Sequence, residues 1–147
     1  MEGTDTEILP TVDFALLADA VQVVQGKLFV LGGGWDTLFV RSFPARYPTL
    51  GVGLRVRVPW SWTDQPLVIG VDLQDEDGQR VLPGAPLAQG VKVARPPGIP
   101  EGSDIGLARS FTFNNLTFPR ESAYSFVVSL NQEVASRLRF AVRSRPS

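Results

Sequence analysis

Residues 122–143 read SAYSFVVSLNQEVASRLRFAVR, and this stretch decides the fold class. Tyr124, Phe126, Val128 and Leu130 alternate with Ser125, Val127 and Ser129. After a polar break, Leu138, Phe140 and Val142 alternate with Arg137, Arg139, Ala141 and Arg143. Successive side chains of a strand point to opposite faces, so a period of two with apolar and polar partners marks a strand buried on one side. Two such strands in succession predict an antiparallel pair over a core.

Working outward, the same period recurs. Leu54, Val56 and Val58 share a face, with Arg55 and Arg57 opposite, before Pro59 breaks the run. Ile69, Val71 and Leu73 point inward between Leu67 and Gln74. The Asp75-Glu76-Asp77-Gly78 turn follows, and Arg80 to Leu82 is the expected returning strand. Phe111 and Phe113 have one parity and Leu116 and Phe118 the other, so Asn114 and Asn115 are expected to absorb a bulge or kink. Near the start, Val12 to Val24 and Lys27 to Leu31 are extended segments joined at Gln25-Gly26, and Thr37 to Val40 follows Gly32-Gly33-Gly34. Leu16 to Ala20 is rich in helix formers, so a short helical turn there competes with the strand.

About eight or nine short strands separated by turn residues predict an all-β antiparallel sandwich. Its core should contain Leu54, Val56, Val58, Ile69, Val71, Leu73, Phe111, Phe113, Phe118, Tyr124, Phe126, Val128, Leu138, Phe140 and Val142. With 147 residues, the chain is expected to form one domain over residues 11–143, with flexible termini at 1–10 and 144–147. The Pro- and Gly-rich run at residues 95–104 reads as a surface loop inside it.

Composition narrows the chemistry. There is no Cys and no His, which removes thiolate metal sites, cysteine nucleophiles and the commonest general base. Neither Gly-x-Ser-x-Gly nor Ser-x-x-Lys occurs, and the acids fall at turns, termini or outward strand positions, so no catalysis and no cofactor are expected. Asp72, Asp75, Glu76 and Asp77 lack a spaced ligand pattern and read as a solvated hairpin with no metal. The triple glycine runs into Trp35 and another strand, where a phosphate loop would open onto a helix.

Fourteen basic residues against fifteen acidic give a net charge of −1, which points away from nucleic acid. No apolar run is long enough for a membrane helix. The acidic start and the lack of Cys point to a cytoplasmic protein. Residues 1–25 hold five acids and no base, whereas residues 107–147 hold six Arg and two acids, an asymmetry that would guide pairing if the two ends lie close.

Two constellations remain as binding candidates. Trp60 and Trp62 follow the strand break at Pro59, and Trp35 follows the triple glycine. They form either a platform for a sugar or peptide anchor or a lid on the open end of the core. Arg137, Arg139 and Arg143, with Arg55 and Arg57 beside them, form either a surface for an acidic partner or a solvated face paired with carboxylates such as Asp72. The expected function is a non-catalytic protein-interaction module or assembly subunit, with self-association left open. The alternative is a carbohydrate-binding sandwich.

The stretch DFALLADAVQVVQGKLFVLGGGWD at 13–36 is joined by Ser42-Phe43-Pro44, LRVRVPW at 54–60, the Asp75–Gly78 turn, RPPGIPEGSD at 95–104 and FNNLTFP at 113–119. Together they resemble a small family of uncharacterised bacterial proteins, a domain of unknown function. The resemblance implies one β-rich domain and brings no activity, ligand or catalytic residue. Leu116-x-Phe118-x(5)-Tyr124-x-Phe126 is also similar to the late strands of immunoglobulin-like and fibronectin-like sandwiches, in which a Tyr anchors a corner through its hydroxyl. Ser122-Ala123 stand where such domains commonly carry Gly.

Overall fold

The computed structural model describes residues 8–146, so the proposed flexible N-terminal tail lies mostly outside the described residues. Nine strands form two sheets: β1 (Thr11–Val24), β2 (Lys27–Gly33), β3 (Thr37–Val40), β4 (Ala45–Val58), β5 (Pro66–Asp75), β6 (Leu87–Lys92), β7 (Ile105–Phe118), β8 (Ser122–Leu130) and β9 (Glu133–Ser144). The first sheet has the order β2-β1-β4-β7 and the second β3-β9-β8-β5-β6. All pairings are antiparallel except β3 with β9, which is parallel. Residues 16–20 belong to β1, so no helical turn interrupts it.

The core lies between the sheets and is built from the residues the alternation picks out. Leu54, Val56, Val58, Ile69, Leu73, Phe118, Tyr124, Phe126, Phe140 and Val142 are buried. Leu138 is the exception in the expected set: it is half-buried, at the margin of the cluster. Phe113 of β7 meets Phe126 of β8 with ring centroids 4.9 Å apart, and Phe118 meets Tyr124 edge-on at the same separation. These contacts cross from one sheet to the other, and Phe140 stacks on Phe126 at 5.4 Å. Offset and edge-on aromatic pairs add to the burial that holds the sheets together.

Local chemistry shapes the strands. Gln25 and Gly26 both have positive φ, 53° and 73°, the backbone that a tight two-residue hairpin requires. The parity change at Asn114-Asn115 contains no extra residue: β4 and β7 keep one register from Ala45↔Phe118 to Val58↔Ile105. Both strands switch their inward parity together where Pro48, which has no N–H to donate, lies across from Asn115 at φ 56°. The true bulge lies in β1 between Val12 and Phe14 and centres on Asp13.

The expected return strand at Arg80–Leu82 is reduced to a single pairing, in which Asp75 N–H donates to Gln79 O and Val81 N–H to Leu73 O, both at 2.9 Å. Arg80 makes one isolated bridge to Gln74, and β6 is the strand that pairs with β5. The Asp75 carboxylate also accepts from the N–H groups of Asp77 and Gln79, which closes the turn before that pairing.

Candidate interaction surface

The β1–β2 hairpin carries exposed apolar side chains at Val24, Phe29, Val30 and Leu31. Beyond Ala18↔Gly51, β1 leaves the edge of β4 and the hairpin crosses the outer face of the first sheet towards β7. Two glycines allow this approach. A Cβ at Gly51 would stand 2.6 Å from Val21 Cγ2 and 3.1 Å from the Val21 backbone nitrogen, and one at Gly53 would stand 3.0 Å from Leu28 Cδ2. Val21, Val23 and Leu28 thereby face the sheet beneath. The opposite face of the hairpin points to solvent with Phe29 at 54% and Leu31 at 74% exposure, and Val24 is exposed beside them.

Among the described residues β2 pairs with β1 alone, so its other edge presents backbone groups that no described strand pairs. Only Lys27 carries charge along this strand. The Trp35 indole covers one acceptor by donating to Gly32 O at 2.8 Å. The triple glycine thus ends a strand and receives a side-chain cap. Sequence reasoning did not select Phe29, Val30 or Leu31, because an unbroken apolar run reads as a buried strand.

Trp35 lies apart from Trp60 and Trp62, which share one turn. Trp35 packs edge-on against Phe140 at 6.2 Å. Trp60 and Trp62 form a 3-10 turn after β4; the Arg95 guanidinium covers one face of Trp60 at 4.1 Å, while Trp62 packs on the core. The Trp62 Nε1 is sealed from solvent and finds no acceptor among the described residues. Thr63 Oγ1 donates to Trp60 O and accepts from Arg95 Nε, both at 2.8 Å, which fixes the Arg95 guanidinium beside the turn. A cleft of about 520 Å³ opens beside Trp62, between Leu9 to Val12 and the β8–β9 turn.

The arginines do not form one surface. Arg55 and Arg57 project from β4 in the first sheet, and Arg137, Arg139 and Arg143 from β9 in the second, so the two sets face away from each other. Asp13, placed by its bulge, accepts from both Arg55 and Arg57, and Arg57 also reaches Asp104 at 3.4 Å. The N-terminal acid therefore pairs with a central strand and not with the Arg-rich C-terminal segment. The guanidinium of Arg57, then Arg55, holds the Asp13 carboxyl below the usual carboxylate range against some desolvation, and Arg57 is raised in turn.

Asp72, the partner expected for the β9 row, accepts from Arg80 Nε at 2.6 Å instead. No ion pair among the described residues includes Arg137, Arg139 or Arg143. Arg139 and Arg143 line a cleft of about 630 Å³ whose walls also carry Glu76, Glu121 and Asp36, so its charge is mixed. Asp75 and Asp77 face Arg120 at 3.5 and 3.4 Å, and no cluster able to hold a metal ion occurs among the described residues. No helix there is long and apolar enough to cross a membrane.

The family of unknown function DUF6941 matches residues 13–143, from the bulge at Asp13 to the end of the Arg-bearing strand. The chain belongs to DUF6941. The match spans eight of the nine strands completely or nearly so and contains β1 from its bulge onward, so this DUF6941 domain includes the open hairpin and both Arg sets. No curated protein matches the chain.

Proposed function

We propose that this DUF6941 domain is a non-catalytic interaction module that docks another protein through the open edge of β2. The observation that carries the reading is the solvent-facing apolar side of that edge, with Leu31 at 74% exposure. Edge strands of this kind pair readily with other chains unless charge, proline or a bulge blunts them. Strand addition joins main-chain hydrogen bonds to side-chain contacts and requires no preformed cavity. The half-buried tryptophans, with Arg95 over Trp60, favour this reading over a stacking site for sugar.

The scaffold itself we read as immunoglobulin-like. The parallel β3–β9 pair and the facing order β1-β4-β7 support this, as does the Tyr124 hydroxyl, which donates to Arg120 O at 2.5 Å.

The test uses the purified chain immobilised and exposed to extract of its native host. Leu31→Lys should abolish capture of a partner while the triple variant Arg137→Ser, Arg139→Ser, Arg143→Ser retains it, at low and high salt alike. The reverse pattern would move the docking surface to β9.

A further inference from the structure

We infer that the occupant of the β2 edge is a second copy of this chain, paired antiparallel about Val30. The inference rests on the docking role proposed for that edge and adds the identity and register of the partner. The other sheet edges are protected in ways that β2 is not. β3 is only four residues long, and Gly90 interrupts β6 in mid-strand, whereas the glycines of β2, Gly32 and Gly33, stand at its end. On β7 the carbonyls of Ser110 and Ala108 accept from Gln89 Nε2 at 3.0 Å and Arg109 Nη1 at 3.3 Å. Along β2, Leu28 to Leu31 stand without charge or proline beside an unpaired edge.

The sequence of β2 is compatible with itself under a two-fold axis. In one antiparallel register β2 pairs with a second copy through Val30↔Val30 and Phe29↔Leu31, with Lys27 placed across from Gly33; Gly32, at φ 69° with its carbonyl already accepting from Trp35 Nε1, ends the paired run. In that register the single charge of each strand meets a glycine, so no like charges oppose. Because β1 pairs Ala20 with Leu31, Val21 with Val30 and Gln22 with Phe29, the rows continue across four strands. On the solvent-facing side, Ala20 and Leu31 of one copy run into Phe29 and Gln22 of the other, twice by symmetry. On the side facing the sheet, Val21 and Val30 run into their own copies. The exposed side chains Phe29 and Leu31 therefore cover each other. Such a contact is isologous and closes at two copies.

The absence of cysteine makes a direct test available. Val30→Cys introduces one thiol per chain, and residues directly opposed in an antiparallel pair lie about 4.5–5.5 Å apart at Cα, within disulfide range. Mild oxidation should give a covalent dimer at least about tenfold faster than with Glu101→Cys, a loop control. Sedimentation of the parent should give twice the chain mass of 16.0 kDa. Leu31→Lys should weaken dimerisation about tenfold or more with the circular dichroism unchanged.

A parent that stays at 16.0 kDa over the micromolar range overturns the inference, as does cross-linking no faster than the control or a series of larger species. A monomeric parent whose capture of another protein is still abolished by Leu31→Lys overturns the second copy and retains the docking edge. A monomeric parent whose capture survives Leu31→Lys overturns both. If Leu31→Lys fails to fold, the oxidation of Val30→Cys and the sedimentation of the parent decide the matter.

Discussion

Asp13 is held by two guanidinium groups, those of Arg57 and Arg55, because the bulge in β1 turns its side chain towards both. A carboxylate whose folded pKa is depressed stabilises the native state fully above its unfolded value and loses that contribution as pH falls through the folded pKa. Asp13→Asn should therefore lower the denaturation midpoint at pH 7, and its deficit against the parent should vanish in acid below the depressed pKa. Urea titrations at the two pH values check this. In the core, Phe126 is fully buried between Phe113 and Phe140, so Phe126→Ala should cost about 3–5 kcal/mol through lost burial and a residual cavity. Tyr124 couples the core to the β7–β8 corner. Burial raises its phenol above the ordinary value, so it stays protonated and donates to Arg120 O. Tyr124→Phe should keep the ring packing and cost about 1–3 kcal/mol, because a part-buried carbonyl loses its partner.

At the scale of the element, the β1–β2 hairpin lies flat on the first sheet only because Gly51 and Gly53 leave room for Val21 and Leu28. A side chain at Gly51 meets the Val21 backbone as well as its methyl groups, so the hairpin must rise to admit it. Gly51→Val should destabilise the fold and deprotect the amides of residues 19–31, while those of β8 keep most of their protection. Hydrogen exchange resolved by residue separates local lifting from global loss. The Asp75–Gly78 turn behaves differently: the Asp75 carboxylate already accepts from Asp77 and Gln79 N–H, and both Asp75 and Asp77 face Arg120. Calcium added to millimolar concentration should leave the melting temperature unchanged, since no set of free oxygens converges there.

For the whole molecule, the two sheets bury their aromatic layer against each other and send their arginines in opposite directions. Alternation at period two is a property of neighbouring residues, so it was legible in the sequence. It identified the inward sets of β4, β5, β8 and β9, the Gln25-Gly26 turn, and the all-β class. The β6 strand was not legible, because LAQGVK has no clean alternation and the return after the Asp75–Gly78 turn stops at one bridge, Gln74↔Arg80. Ion-pair partners were equally hidden. Asp13 finds Arg57 across 44 positions of chain, and Asp72 finds Arg80 in place of the β9 row. Most decisively, an apolar run such as Leu28 to Leu31 has the same composition whether a strand is central or lies at an edge. The sequence by itself determined which residues extend and which faces of most strands are apolar, since local sterics and side-chain spacing suffice for that. Only the tertiary structure decided that β2 ends its sheet with Phe29 and Leu31 in water, because strand order is set by hydrogen bonds between segments far apart in the chain.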